Sequence, residues 1–437
     1  MRRSERKRGV GQGAAVGKAP AETSTVIHLN AAGAAIPSPA TLAKVHQFLD
    51  DESRLGAYEM VSKHGKEDLE RPYKELATLL NCDPEEISIV SSATEGWNEV
   101  VWGVARTLLR KGGTIVTTQC EYGSNYLTYL QIKEHFTVGD AVVNIHVLKE
   151  SSPGEINVAE LERLYHDPCY PTVKLVALPH VPTSSGVVYN LRSVLKALEL
   201  GRVGEMGWDG KDPRMVYLVD ATQSVGQLKV DVREIGCDCL VGTSRKWLRG
   251  PRGAGFVYCN AESRKMFEPA TIDVHSARLE GTDSYTLNRG SRMFEKYEMS
   301  FAAKVGLGAA VAELNEAGIE HVARRVSGLA ADLRGMLEKV AGVTVEDHGR
   351  TLCGIVSFTV DGKDGNADRE RTERLFRELC AAGYSVSVSR RTSTPIDMAG
   401  RAIDCVIRVS PHVYNTEDEL RNMVAVVAEV IDLLSRD

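Results

Sequence analysis

The chain reads as an α/β protein, with a large domain built on a mainly parallel sheet and a smaller α+β domain after it. Three observations predict this. Short apolar runs alternate with longer amphipathic ones from about residue 87 to residue 258, as expected for strands joined by crossover helices that cover both faces of a sheet. The pattern changes after about residue 300, where two long helical stretches precede a second group of strands. A length of 437 residues with 43% hydrophobic content is enough for two cores.

Each element has its own signal. The run Met1 to about Thr25 opens M-R-R-S-E-R-K-R and continues Gly/Ala-rich; it reads as a solvated, disordered tail, with an organelle transit peptide as the other reading. Order begins near Val26. Ile87–Val90 is a strand, after which Trp97, Val100, Val101 and Val104 recur at helical spacing. Strands follow at 114–117, 142–148, 174–178, 216–219, 239–242 and 255–258, with helical patterns at 126–133 and 191–200. Beyond residue 300 come helices at 301–315 and 319–340, strands at 343–346 and 354–360, a helix at 369–382 and a strand at 403–410. A last helix starts at Thr416, with Glu419 three residues on as a capping box requires. The domain reading is a tail at 1–25, a segment at 26–60 that packs with the small domain, a large domain at 61–300 and a small domain at 301–437.

Composition narrows the function. Lys plus Arg is 53 against 59 Asp plus Glu, a net charge of −6, so no general electrostatic attraction to nucleic acid is expected. No stretch approaches the roughly 20 apolar residues that span a bilayer. The nine Cys are scattered and odd in number, which reads as reduced thiols in a cytoplasmic enzyme. Cys237 and Cys239 share one face of a strand, and no second Cys or His pair stands at metal-ligand spacing, so core packing is expected and no metal.

Two residues then carry chemistry. Asp220 ends the strand V-Y-L-V, and Lys246 lies past the next strand in T-S-R-K-W-L-R-G-P-R-G-A-G. Ligands in open α/β sheets sit at the carboxyl ends of strands. A Lys amine that captures pyridoxal phosphate, with a carboxylate that keeps the pyridine nitrogen protonated, needs such a pair. The helix start at Ser91-Ser92-Ala93-Thr94 suits a phosphate dianion, and Thr243 and Arg245 can complete that cradle. Tyr122 can stack on the ring; Thr183 and Gln223 can reach its hydroxyl. Trp247 is expected to pack beneath the lysine, while Arg249 and Arg252 read as exposed turn residues.

On these motifs the chain resembles the class V aminotransferase family, the fold-type I pyridoxal-phosphate enzymes that include cysteine desulfurases, selenocysteine lyases and isopenicillin N epimerase. The resemblance spans about Ile27 to Leu434. It rests on S-A-T-E at the phosphate turn, Asp220-Ala221-Thr222-Gln223, the Schiff-base signature around Lys246, and Arg408 in I-R-V-S-P-H-V-Y-N-T. It implies a seven-stranded sheet in the large domain, catalytic Lys246 and Asp220, and cofactor contacts from Ala93, Thr94, Tyr122, Thr183, Gln223, Thr243 and Arg245. It further implies substrate contacts from Arg408, Asn30, His275 and His412, and a homodimer in which Arg292 or a neighbour reaches the partner's cofactor. The chain departs from the desulfurases at Tyr122 and Arg245, where they carry His, and at Thr183, where they carry Asn. The stretch V-S-V-S-R-R-T-S-T-P-I-D-M-A-G, read as the loop that bears their nucleophilic Cys, has none. The segments D-V-H-S-A-R-L and G-S-R-M-F-E-K-Y-E look like the ergothioneine-type C–S lyase subgroup.

The leading expectation is therefore a C–S (β) lyase on a cysteine-derived amino acid; Arg390 and Arg391 could favour a polar or anionic substituent, with solvated loop charge as the simpler reading. A transaminase and an epimerase are its rivals within the family. A catalytically idle scaffold is the rival outside enzymes, disfavoured because Lys246, Asp220 and the phosphate turn are all present.

Overall fold

The computed structural model describes residues 26–167, 172–202, 215–288 and 290–436. The expected tail at 1–25 lies outside the described residues.

Seven strands make the main sheet: β1 (Ile87–Val90), β2 (Gly113–Thr118), β3 (Val143–Leu148), β4 (Val173–Pro179), β5 (Val216–Asp220), β6 (Cys239–Thr243) and β7 (Gly255–Cys259). They lie in the order β1-β7-β6-β5-β4-β2-β3. Every neighbouring pair is parallel except those made by β7, which runs antiparallel to both β1 and β6. The reason is local: β6 and β7 are joined by the turn 244–254 without a crossover helix, and a parallel return needs one. The strands are near-continuous apolar runs because both faces are covered, one core on each side of the sheet.

The smaller sheet, β8 (Val343–Val345), β9 (Val356–Val360), β10 (Ser387–Arg390) and β11 (Cys405–Val409), is antiparallel in the order β8-β9-β11-β10. It packs with helices Ile319–Leu337, Arg369–Ala381 and Glu417–Arg436 around Leu29, Val356, Phe358 and Ile407. Thr416 and Glu419 cap the last helix reciprocally, each backbone N–H donating to the other side chain. The N-terminal strand Ile27–His28 pairs with Tyr384–Ser385 of this unit, and Asn415 Nδ2 donates to the His28 carbonyl at 3.0 Å.

Two corrections concern elements. Residues 387–390, read as loop, form a strand paired along Cys405–Arg408. Helices Pro39–Leu55 and Lys66–Leu80, for which the sequence reading names no element, pack Phe48 and Leu69 against Val305 of helix Phe301–Ala317. Cys237 and Cys239 are buried in the core, and no metal-type cluster occurs among the described residues.

Candidate active site

The carboxyl ends of β1, β2, β4, β5 and β6 open into one cavity of about 380 Å³. Each wall is set by the segment that leaves its strand. After β1, Ser92 caps helix Ala93–Leu108, its hydroxyl accepting the Glu95 N–H at 3.1 Å. Ala93 and Thr94 are the first helical residues, so their N–H groups have no acceptor within the helix and mark its positive pole. Gly255 of β7 must be glycine: a Cβ there would stand 2.9 Å from the Ala93 nitrogen. The close approach of β7 to this turn thus brings Arg252 and Gly253 to the same wall.

After β5, Asp220 is held from two sides. Its Oδ1 accepts the Thr222 N–H at 2.9 Å and its Oδ2 accepts from Asn125 Nδ2 at 2.9 Å. After β4, Thr183 Oγ1 accepts from Arg408 Nη1 at 3.0 Å and from Gln223 Nε2 at 3.1 Å. Both lone pairs of that oxygen are used, so its hydrogen is left to donate to an acceptor in the cavity. Gln223 Oε1 in turn accepts from Trp247 Nε1 at 3.0 Å, which locks the turn that carries Lys246. Tyr122, after β2, is exposed to the cavity and precedes helix Gly123–Phe136.

The electrostatics are one-sided. Lys246 sits at the cavity wall, and burial, with Arg408 and Arg245 adding repulsion and Asp220 only partly opposing them, pushes its pKa down to about 7. Such an amine is about half neutral, and so nucleophilic, near neutral pH, where an ordinary lysine is almost wholly charged. Burial, helped by Arg245, pushes Arg408 down to about 10. Arg408 also donates to the Thr183 carbonyl at 2.8 Å, while its Nε is buried with no acceptor. Among the described residues, no carboxylate forms an ion pair with Arg245, Arg252 or Arg408.

These features fit pyridoxal phosphate. A helix N-terminus and Thr243 with Arg245 and Arg252 offer N–H groups, a hydroxyl and charge to a phosphate. Asp220 offers a carboxylate to a pyridinium, the spare Thr183 hydrogen suits a phenolic oxygen, and Lys246 offers a neutral amine. The orphaned Nε of Arg408 fits a carboxylate acceptor.

His412, His275 and Asn30 do not line this cavity; nor does Arg408, which abuts it through its hydrogen bond to the lining residue Thr183. His412 is buried, with Nε2 3.1 Å from the Trp247 carbonyl and Nδ1 accepting the Val413 N–H at 2.8 Å. Burial drops its pKa to about 4, so it is a neutral packed residue with both nitrogens used. His275 stands 3.3 Å from Glu295 on the loop after β7. Asn30 bridges Ser410 at the seam with the small unit, its Oδ1 buried without a donor and outside the cavity wall. Arg292 pairs with Glu70 at 2.6 Å and lies over the Tyr73 ring within its own chain. Arg252 is the exposed turn residue expected, and it also lines the cavity mouth. Asn125 was not singled out from sequence; its signal is its place on the first turn of the helix that Tyr122 begins.

Comparison with known proteins agrees with this architecture. The family model "Aminotransferase class-V" matches residues 27–423. A probable cysteine desulfurase of Methanothermobacter thermautotrophicus is 26% identical, the match covering 92% of this chain and 94% of the relative. A cysteine desulfurase of Yersinia pestis is 24% identical over 94% of each. Among solved structures, the apo cysteine desulfurase of Thermococcus onnurineus superposes with a TM-score of 0.80 at 21% identity, covering 93% of this chain and 95% of that one. The cystine C–S lyase C-DES, in complex with its product cysteine persulfide, gives 0.76 at 22%, covering 92% and 97%. The fold is that of the fold-type I pyridoxal-phosphate enzymes.

Proposed function

The chain belongs to the class V aminotransferase family and is a pyridoxal-phosphate-dependent enzyme, and on that premise we propose that it is a C–S (β) lyase acting on a cysteine-derived amino acid. The observation that carries this reading is the segment 387–401. Desulfuration needs a mobile, ionised thiol to take the sulfur. Here the segment is strand β10 followed by a short helix, Pro395–Gly400, without cysteine. It is fastened to the large unit: Thr394 and Ser184 hydroxyls share a 2.5 Å hydrogen bond, and the Asp397 N–H donates to the Gln119 carbonyl at 3.0 Å. Cys120 does line the cavity, but burial and the nearby Asp397 carboxylate raise its pKa well above the ordinary thiol value. A neutral, immobile thiol does not suit sulfur capture. The likeness to a C–S lyase supports the same reading, as do the relatives named for cysteine chemistry.

Bound pyridoxal phosphate supplies an aldehyde and an electron-withdrawing pyridine ring. The residues around it divide the work. The Ala93 and Thr94 N–H groups, Thr243, Arg245 and Arg252 hold the phosphate. Asp220 holds a proton at the pyridine nitrogen, where positive charge favours withdrawal of electrons from the substrate. The Thr183 hydroxyl would donate to the ring oxygen, and Tyr122 would cover a ring face. Arg408 would grip the substrate α-carboxylate through paired N–H groups. Lys246 Nζ would hold the cofactor and is the base placed to take the substrate's α-proton. The sulfur substituent at Cβ would leave as a thiolate with the C–S electron pair, and water would convert the remaining fragment to pyruvate and ammonia.

Exposed Val274, Leu279 and Tyr285 near the hairpin 277–287 support a homodimer, and eight free described cysteines suit a reducing, cytoplasmic setting. The deciding experiment incubates the enzyme with cysteine and with cysteine S-conjugates or sulfoxides. Equal pyruvate and ammonia from an S-substituted substrate is expected. Protein persulfide from free cysteine, abolished by a Cys substitution, would overturn the reading, as would amino transfer to a keto acid.

A further inference from the structure

Behind Asp220 lies a second, fully buried carboxylate. Glu121 is 1% exposed and accepts four hydrogen bonds. Thr117 Oγ1 and Tyr129 OH donate to Oε2 at 2.7 and 2.9 Å, and the Tyr122 N–H and Asn125 Nδ2 donate to Oε1 at 2.7 and 3.0 Å. The same Asn125 nitrogen donates to Asp220 Oδ2 at 2.9 Å. Both hydrogens of one amide are thus spent on two carboxylates. A flipped amide would set its oxygen against both, so the orientation of Asn125 is determined by charge.

A buried carboxylate is expensive, and an apolar side chain of similar volume would ordinarily serve stability as well. Burial outweighs the donors and pushes the Glu121 pKa up to about 7, with Asp220 adding repulsion. We infer that Glu121 is a positioning residue for the reaction: it fixes Asn125 so that the second amide N–H holds Asp220 in place against the pyridine nitrogen. The inference rests on the assignment of Asp220 to that nitrogen. It adds a chain, Glu121 to Asn125 to Asp220, that spans β2, the helix after it and β5. Asp220 then has each oxygen tied by one N–H, which fixes the direction its carboxylate faces.

The test is a double-mutant cycle on the cofactor-loaded enzyme. Glu121→Met keeps volume and removes the acceptor; it should lower kcat about tenfold, as expected for one lost hydrogen bond to a charged group, with KM within about twofold. The absorption band of bound cofactor without substrate should shift as it does in Asn125→Ala. Glu121→Gln should restore most of the activity, since the Thr117 and Tyr129 hydroxyls can turn to accept from its NH₂ while its oxygen still faces Asn125. In the Asn125→Ala background, Glu121→Met should add nothing. Additive losses, a change in KM alone, or a Gln variant as poor as Met would overturn the inference. If Glu121→Met does not fold, Asn125→Ala decides by itself: an unchanged kcat and cofactor band overturn it. Asp220→Ala is the control, because normal turnover there would overturn the cofactor assignment as well, whereas a damaged Asp220→Ala beside silent Asn125 variants overturns this chain alone.

Discussion

The cavity and the 387–401 segment use their arginines in opposite ways. Arg245 and Arg252 line the cavity and Arg408 abuts it through Thr183; none of the three has a carboxylate partner among the described residues, and Arg408 keeps a buried N–H without an acceptor. In the segment, Arg390 meets Glu373 at 3.3 Å, Arg391 meets Asp404 at 2.6 Å, and Arg401 is paired with Glu346 and lies 3.6 Å from Asp397. Unpaired cations held near one another repel, and burial of one such group is tolerated only where an anion will join it. The contrast separates arginines that await a ligand from those that fasten the fold. Arg390 and Arg391 accord with the simpler reading of solvated charge and not with selection of the substrate's substituent: both meet carboxylates of the small unit.

The strongest way to break that contrast is at its centre. Asp220→Ala is expected to lower kcat on the order of 100-fold or more, the scale for one preorganised electrostatic group, with circular dichroism unchanged. Steady-state kinetics with saturating cofactor checks this, and near-normal turnover would mean another carboxylate serves the ring.

Next is Arg408→Lys. Loss of the planar, two-pronged donor should raise KM about tenfold while the bound-cofactor spectrum stays the same. An amine lacking the carboxylate should lose its disadvantage in this variant; equal reactivity of the two in the unaltered enzyme would remove Arg408 from the substrate.

The pH dependence of cofactor capture sharpens the picture of Lys246. Its pKa of about 7 means that the amine is a charged, unreactive ammonium below that value and neutral above it. The rate of pyridoxal phosphate uptake by apoprotein should therefore rise through pH 7 and level off, as followed in a stopped-flow spectrophotometer. A rise centred near 10, the ordinary lysine range, would show that burial and the surrounding arginines do not act on it.

The paired arginines should matter least for chemistry. Arg391→Ala is expected to leave kcat and KM within about twofold and to change stability by less than about 1 kcal/mol, since its partner pair is exposed. The seam shows the same modest scale. His348 stands 3.3 Å from Glu150 across the two units. That hydrogen bond raises the His348 pKa. Burial works against the Glu150 carboxylate, but its His348 and Gly154 bonds together hold its pKa below the ordinary value. The histidine's contribution is full below its ordinary 6.5 and fades as pH rises through the raised value. The carboxylate's contribution is present above its ordinary 4.5 and lost as pH falls through the lowered value. A melting-temperature profile should thus soften as pH rises above 6.5, and His348→Gln should flatten it.

Local pattern carried most elements. Strands β1 to β7 are apolar runs bounded by turns, and Asp220 and Lys246 are conspicuous because each comes just after such a run. The alternation in Ser385-Val386-Ser387-Val388-Ser389 is a period-two strand signal, and β10 obeys it; reading the stretch as a loop gave resemblance precedence over pattern. Helix Pro39–Leu55 was equally legible, with Ser38 as N-cap and Pro39 at the first helical position.

By itself the sequence determined the alternation of strands and helices, the places where strands end, and so which side chains reach the carboxyl edge of the sheet. These depend on neighbours a few residues apart, through pleat, helical period and capping. Tertiary structure alone decided which charges are free and which are spent. Arg408 meets Thr183 across 225 positions and Asn125 meets Asp220 across 95, while His412 turns both nitrogens to the backbone. Burial and hydrogen-bond partners set the charge state and availability of such groups, and both are properties of packing between distant segments that no local pattern encodes.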